Sequence, residues 1–177
     1  MIVKDVNELF ERIYTPYRFD IDKKEIEFLQ LEAEKRNYQA ELALILLDFS
    51  KSYVHYDSFN GTKDELDDIQ ESCFEKLEKL AKLYPYAYKV IGELHLGKMG
   101  KIVFHHEIAL EYFKKYAEAT GDNEPVDNFE KISHEAWEDY KDVSHYQQTK
   151  RILERSKIGV TYSHDPLFYE RDDKEDK

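Results

Sequence analysis

The chain has 177 residues, a length typical of one domain that buries enough surface to fold without disulfides or metal ions. Its 38 acidic and 26 basic side chains give a net charge of −12, which disfavours binding to nucleic-acid phosphates and attracts basic proteins. The alternative is that the negative charge only keeps the protein soluble. One cysteine excludes an internal disulfide, and no apolar run is long enough for a signal peptide or a membrane span, so we expect a cytoplasmic protein.

The first part of the chain predicts three helices. Apolar residues recur at three- and four-residue steps over about residues 6–14, 22–36 and 38–53. Asp22 belongs to the residue types that cap helix N-termini. Residues 55–63 are rich in turn-forming side chains and therefore predict a loop after the third helix.

A fourth helix is predicted from Thr62 to Ala81. Thr62 and Glu65 have the spacing of a capping box, in which each side chain bonds the backbone of the other residue. Cys73 lies on the apolar stripe of this helix, so we expect a small core residue and not a reactive thiol.

The second half of the chain predicts four further helices, over about residues 85–94, 103–120, 125–140 and 144–156. Glycines separate the first two of these helices, and Gly121 is expected to end the second. The predicted inward faces of the sixth and seventh helices consist of Phe104, Ile108, Ala109, Tyr112, Phe113 and Tyr116, and of Val126, Phe129, Ile132, Ala136 and Tyr140.

Residues 87–121 combine small, aromatic and basic residues in a pattern that extends over two predicted helices. Gly92 and the alanines allow close approach of the two helices, and Tyr112 and Phe113 fill the space between them. The stretch resembles one repeat of the Sel-one-like family, a branch of the tetratricopeptide-type helical repeats. The resemblance is carried by Ala87, Gly92, Leu94, Gly97, Gly100, Ala109, Leu110, Tyr112, Phe113, Lys114, Lys115, Ala117, Glu118 and Gly121.

This resemblance implies stacked helix pairs that bind other proteins without catalysis of their own. Together with the periodicity it predicts an all-α fold, in which about eight helices form antiparallel pairs stacked as a short α-solenoid. A single helical-repeat domain is expected to span residues 1–169, followed by a charged, disordered tail at residues 170–177.

Two short groups contain the residue types that bind metal ions. They are Glu93-x-His95 and His105-His106-Glu107. Adjacent histidines on a helix point about 100° apart, so His105 and His106 do not easily bind one ion. HExxH, GxSxG, P-loop and GxGxxG motifs are absent from the sequence. We therefore predict no catalytic residue, no metal ligand and no cofactor.

Tyrosines and carboxylates of the second half are the candidates for contact with a partner. The sequence predicts a non-catalytic scaffold that binds another protein of basic charge, most concretely an acidic immunity protein that neutralises a basic toxin such as a nuclease. The alternative is an adaptor or regulatory repeat protein that binds a peptide or helix of a cellular partner. The predicted partner-binding residues are Tyr86, Tyr88, Glu93, His95, Tyr112, Tyr116, Glu138, Asp139, Tyr140 and Tyr146.

Overall fold

A computed structural model describes residues 5–14, 21–58, 63–100 and 105–138, and within them the side chains outside residues 51–67. The predicted helix at residues 144–156 and the predicted tail at residues 170–177 lie outside the described residues. The described residues through Trp137 belong to one compact unit, whereas Glu138 belongs to a second.

Every regular element within the described ranges is helical, which confirms the all-α class. A single 3₁₀ turn, Lys98–Gly100, lies between the fifth and sixth α-helices. The α-helices are α1 (Val6–Tyr14), α2 (Lys23–Glu34), α3 (Tyr38–Ser58), α4 (Lys63–Ala81), α5 (Tyr86–His95), α6 (His106–Thr120), α7 (Glu124–Asp127) and α8 (residues 129–138).

Local sequence signals fix several helix ends as predicted. The Asp22 side chain accepts a bond from the Glu25 backbone, and the Glu25 side chain accepts one from the Asp22 backbone, which is a complete capping box. Gly121 ends α6 in the left-handed conformation, with φ of 78°. Both ends follow from the residue type at the boundary.

Three predicted boundaries are wrong. Helix α3 continues to Ser58, so the loop predicted at residues 55–63 begins too early, because the loop preference of turn formers is a weak prior. Helix α6 begins at His106 and not near residue 103, since His105 has non-helical backbone angles. The helix predicted at residues 125–140 is interrupted by a turn at Asn128.

Consecutive helices pack against one another. Helices α1 and α2 both contact α3, and the contacts then run from α3 to α4, α4 to α5, α5 to α6 and α6 to α7. The larger core cluster is formed mainly by helices α1 to α5, and a smaller one consists of Leu96, Ala109, Phe113 and Phe129. Contacts between pairs of helices do not establish how the pairs are stacked, so the α-solenoid arrangement stays a prediction.

Helices α5 and α6 approach closely at Gly92. A Cβ atom added to Gly92 would lie 2.7 Å from Cε1 of Phe113 and 3.1 Å from the carbonyl oxygen of Ala109. Ala109, Phe113 and Ala117 form the buried stripe of α6. Ile108 lies beside this stripe and is 38% exposed, so its predicted burial is wrong.

Candidate functional site

The predicted partner-binding residues of α5 point to two different sides of the helix. Tyr86 and Glu93 are seven positions apart and share one side, and Tyr88 and His95 share another. Two positions along a helix correspond to about 200°, so the two pairs point in nearly opposite directions. The structure therefore divides one predicted surface into two polar–aromatic groups.

The first group joins α5 to α1. The Tyr14 hydroxyl donates a hydrogen bond to the Glu93 carboxylate, and the Phe10 and Tyr86 rings meet edge to face at 6.3 Å. The Lys98 ammonium lies 5.0 Å from the centre of the Tyr14 ring. Burial, reinforced by Glu93, raises the pKa of Tyr14 well above its ordinary value and that of Tyr86 to about 12. Both phenols stay protonated and serve packing, without acid–base chemistry near neutral pH.

The second group joins α5 to α4 and α6. The His95 ring stacks on Phe74 with centroids 4.9 Å apart and on Tyr112 with centroids 5.9 Å apart. Tyr88 lies 6.5 Å from Tyr112, centroid to centroid. The Tyr112 hydroxyl donates to the Glu78 carboxylate, and burial together with this bond raises the pKa of Tyr112 far above its ordinary value.

Lys89 connects the aromatic residues of α5 and α6. Its ammonium lies 6.0 Å from the Tyr86 ring centre and 5.9 Å from that of Tyr116, distances at which a cation and a π face attract. The Tyr116 hydroxyl donates to Asp122 Oδ2 at 3.0 Å. Tyr86 and Tyr116 are thus held in place by contacts within the chain.

Lys115 occupies the corresponding place in the second group. Its Nζ lies 4.5 Å from the Tyr112 ring centre, 5.9 Å from that of Tyr88, and 3.8 Å from Oε1 of Glu78. The Lys115 ammonium is therefore attracted by two tyrosine rings and one carboxylate.

His95 and His105 meet across the turn that links α5 to α6. Their Nδ1 atoms lie 3.2 Å apart, and the His105 N–H donates to the His95 carbonyl at 2.7 Å. Gly97 and Met99 have φ of 83° and 66° and reverse the chain between the two histidines. Burial, and secondarily His105, lower the pKa of His95 to about 4, so its imidazole is neutral at neutral pH.

His106 belongs to different surroundings. Its Nδ1 lies 2.7 Å from the Ser133 hydroxyl, and its ring meets Phe129 edge to face at 4.6 Å. The histidines that are adjacent in sequence therefore contact different helices, as their angular separation predicts.

The end of the described unit is strongly acidic. Residues 105–137 contain eight acidic and three basic side chains, a balance of −5 within a chain of net charge −12. On α6, Glu107, Glu111 and Glu118 repeat at helical spacing along one exposed side, interrupted by Lys114, and we call these three glutamates the acidic stripe. Further exposed carboxylates in this segment belong to Glu124, Asp127, Glu130 and Glu135.

Six of the predicted partner-binding residues are half-buried, namely Tyr86, Tyr88, Glu93, His95, Tyr112 and Tyr116. Glu138 is exposed. Asp139, Tyr140 and Tyr146 lie outside the described residues.

Sequence reasoning missed the partners that hold these side chains, above all Tyr14, Glu78, Lys89, Lys115 and His105. The two lysines had a local signal, because each lies three positions after a tyrosine on the same helix. Tyr14 and Glu93 are 79 positions apart, and Tyr112 and Glu78 are 34 apart, so no local pattern connects them.

Residue types suited to catalysis or metal binding occur throughout the described part of the chain. There, no three histidine, cysteine, aspartate or glutamate side chains come together as a metal-binding group. Cys73 is buried as predicted, and burial raises its pKa to about 11, which disfavours the reactive thiolate.

Among the described helices, none is both long and apolar enough to cross a membrane. Comparisons with family models, with curated proteins and with solved structures found no match to this chain.

Proposed function

We propose that this chain is a non-catalytic helical scaffold that binds a basic protein through the acidic surface of α6 to α8. The observation that carries the proposal is the concentration of exposed carboxylates there, with the acidic stripe at its centre. Aligned carboxylates create a negative potential that steers a positively charged partner and selects against acidic ones.

Two of the three cations of this segment are paired within the chain, and the third, Lys114, is exposed within the acidic stripe. Lys115 lies against Tyr112 and Glu78, within the second aromatic group. Lys131 has its Nζ 3.9 Å from Oε1 of Glu135, in an exposed pair that water screens. Most carboxylates of this segment thus remain available to positive groups of a partner.

Half-buried tyrosines offer apolar contact surface on another side of α6, since Tyr112 and Tyr116 lie about 100° and 140° around the helix from Glu111. Tyr88, Tyr112 and Tyr116 keep part of their surface exposed while contacts inside the chain fix their rings. Aromatic residues already held in one orientation lose little entropy on binding, and tyrosine is common among the residues that dominate binding energy.

The most concrete version of the proposal is an immunity protein that neutralises a basic toxin. A nuclease needs a positively charged surface to bind phosphates, and an acidic scaffold that covers this surface would block the substrate. The supporting features are the strong acidity and the lack of known catalytic motifs in the sequence. A toxin gene directly beside the gene of this chain would support this version further.

The test compares two variants that remove the same charge from different surfaces. The first replaces the acidic stripe, Glu107→Gln, Glu111→Gln and Glu118→Gln. The matched control replaces three exposed glutamates of α1 to α3, and these are Glu8→Gln, Glu34→Gln and Glu41→Gln. Each variant is used as bait in extracts of the source organism at low and at high salt, with circular dichroism to confirm folding.

We expect a basic protein to bind the native chain and the control at one-to-one stoichiometry, and to bind the stripe variant more weakly. High salt should weaken the complex, because the Debye length falls from about 10 Å at 0.1 M to about 3 Å at 1 M. The captured protein is then assayed for nuclease activity with and without this chain. Capture of a partner through a contact that neither salt nor the stripe variant weakens would refute the electrostatic proposal and favour the adaptor alternative.

A further inference from the structure

The Nδ1 atoms of His95 and His105 lie at a distance that suits two ligands of one metal ion. The sequence places these histidines in separate groups, and the turn between α5 and α6 brings their Nδ1 atoms to 3.2 Å. We propose that His95 and His105 form a two-imidazole site that binds a divalent transition-metal ion, Zn²⁺, in tetrahedral coordination. This inference is independent of the proposed binding of a basic protein.

The distance between the two nitrogens is the first argument. Zinc binds histidine nitrogen at about 2.0–2.1 Å and prefers tetrahedral angles, so two of its ligands lie about 3.3 Å apart. The observed separation of 3.2 Å therefore fits two neighbouring corners of a tetrahedron. A two-coordinate linear ion requires about 4 Å between its ligands, which fits this pair less well.

The ring of His95 and the main chain of His105 are already held in place. The rings of Phe74 and Tyr112 stack on His95 at interplanar angles of 20° and 10°. The backbone bond from the His105 N–H to the His95 carbonyl fixes the main chain of the second histidine. Rigid support of this kind is what a metal site requires, because ordering the ligands on binding would cost free energy.

The imidazole tautomers permit coordination. A histidine binds a metal ion through a ring nitrogen that carries no hydrogen. In the metal-free pair one Nδ1 carries the hydrogen that bonds the other Nδ1. Coordination requires that hydrogen to move to Nε2 of the same ring, after which both Nδ1 atoms have a lone pair for the ion.

The surrounding charges are balanced. His95 ends α5, where the helix dipole favours a cation, and His105 precedes α6, where the dipole opposes it. Glu78 lies nearby but already accepts the Tyr112 hydroxyl and pairs with Lys115. No third ligand completes the site within the described residues, so water or an external ligand would fill the remaining positions.

The test uses the full-length, tag-free chain and Zn²⁺ alone, measured by isothermal titration calorimetry at neutral pH. Co²⁺ serves as a spectroscopic probe, since tetrahedral coordination gives strong visible absorption. We expect one ion per chain, and at least about tenfold weaker binding in both His95→Ala and His105→Ala, because even loss of a second-shell partner costs about 10–100-fold. His134→Ala is the matched control, since His134 is exposed on α8, and should bind as the native chain does.

A measurement on the native chain covers the case in which a variant fails to fold. Imidazole nitrogen resonances distinguish coordinated from uncoordinated rings, and Zn²⁺ should shift Nδ1 of His95 and His105 together while those of His134 stay unchanged. Absence of stoichiometric Zn²⁺ binding would overturn the proposal. Binding that persists in both variants, or that shifts only other histidines, would equally overturn it.

Discussion

Adding one methyl group at Gly92 tests how closely α5 and α6 approach. In Gly92→Ala the new Cβ would lie 2.7 Å and 2.8 Å from two ring carbons of Phe113, and 3.1 Å from the Ala109 carbonyl oxygen. Ordinary carbon–carbon contacts begin at about 3.5 Å, so the overlap with the ring is about 0.7–0.8 Å. Phe113 is only 1% exposed, and its ring packs edge to face against Phe129 with centroids 5.9 Å apart.

Two effects of opposite sign determine the result. Alanine favours the helix over glycine by about 1 kcal/mol, which would stabilise the protein. Overpacking a dense core costs about 1–3 kcal/mol, and contact with both a fixed ring and a backbone oxygen places this site near the upper end. We therefore expect Gly92→Ala to reduce the free energy of unfolding by about 2 kcal/mol.

Urea unfolding followed by circular dichroism measures this change. Ala119→Gly, at an exposed position of α6, measures the helix-propensity contribution in the same protein. The double variant Gly92→Ala/Phe113→Leu should lose less than the sum of its two single changes, because the smaller side chain relieves the overlap. A Gly92→Ala protein as stable as the native chain, or more stable, would refute the close helix contact.

Three further predictions concern single side chains in other parts of the fold. Arg36 follows α2 with φ of 65°, a conformation that favours glycine. Arg36→Gly should therefore raise the free energy of unfolding, measured by urea titration, by about 0.5–1 kcal/mol. A lower free energy of unfolding would contradict the left-handed conformation at this position. The Asp22 backbone N–H and the Arg12 guanidinium lower the pKa of Glu25; its stabilising effect should be complete above the unfolded pKa of about 4.3 and disappear as pH falls through the lower folded value. The difference in stability between the native chain and Glu25→Gln should therefore shrink on acidification, and a difference independent of pH would contradict the argument. Burial and the raised pKa of Cys73 should make its reaction with a thiol reagent at pH about 8 far slower in the native protein than in urea, and equal rates would show that this side chain is accessible.

Features that depend on neighbours in sequence could be predicted. The end of α6 at Gly121 and the N-cap of α2 at Asp22 both depend on residues within a few positions. The close approach at Gly92 followed from small residues on both helices, because only small side chains permit such contact. The all-α class followed from the same helical spacing.

Features that depend on the tertiary fold could not be predicted from the sequence. The bond from Tyr14 to Glu93 joins residues 79 positions apart, and nothing in either local pattern identifies the other. His95 and His105 are only 10 positions apart, yet their approach depends on the turn at residues 97–100, and the composition does not specify the positive φ values of Gly97 and Met99. Composition predicted the amount of negative charge but not its exposure along α6.

Trp137 can report on the smaller of the two core clusters through its fluorescence. Trp137 is the single tryptophan and is 41% exposed on α8, whose Phe129 belongs to the smaller cluster. Its emission therefore responds to the environment of α8, whereas the far-ultraviolet signal averages all helices. Because small clusters with few buried side chains open at lower free energy than large ones, a fluorescence transition that precedes the loss of ellipticity would resolve this end of the fold as a separate cooperative unit.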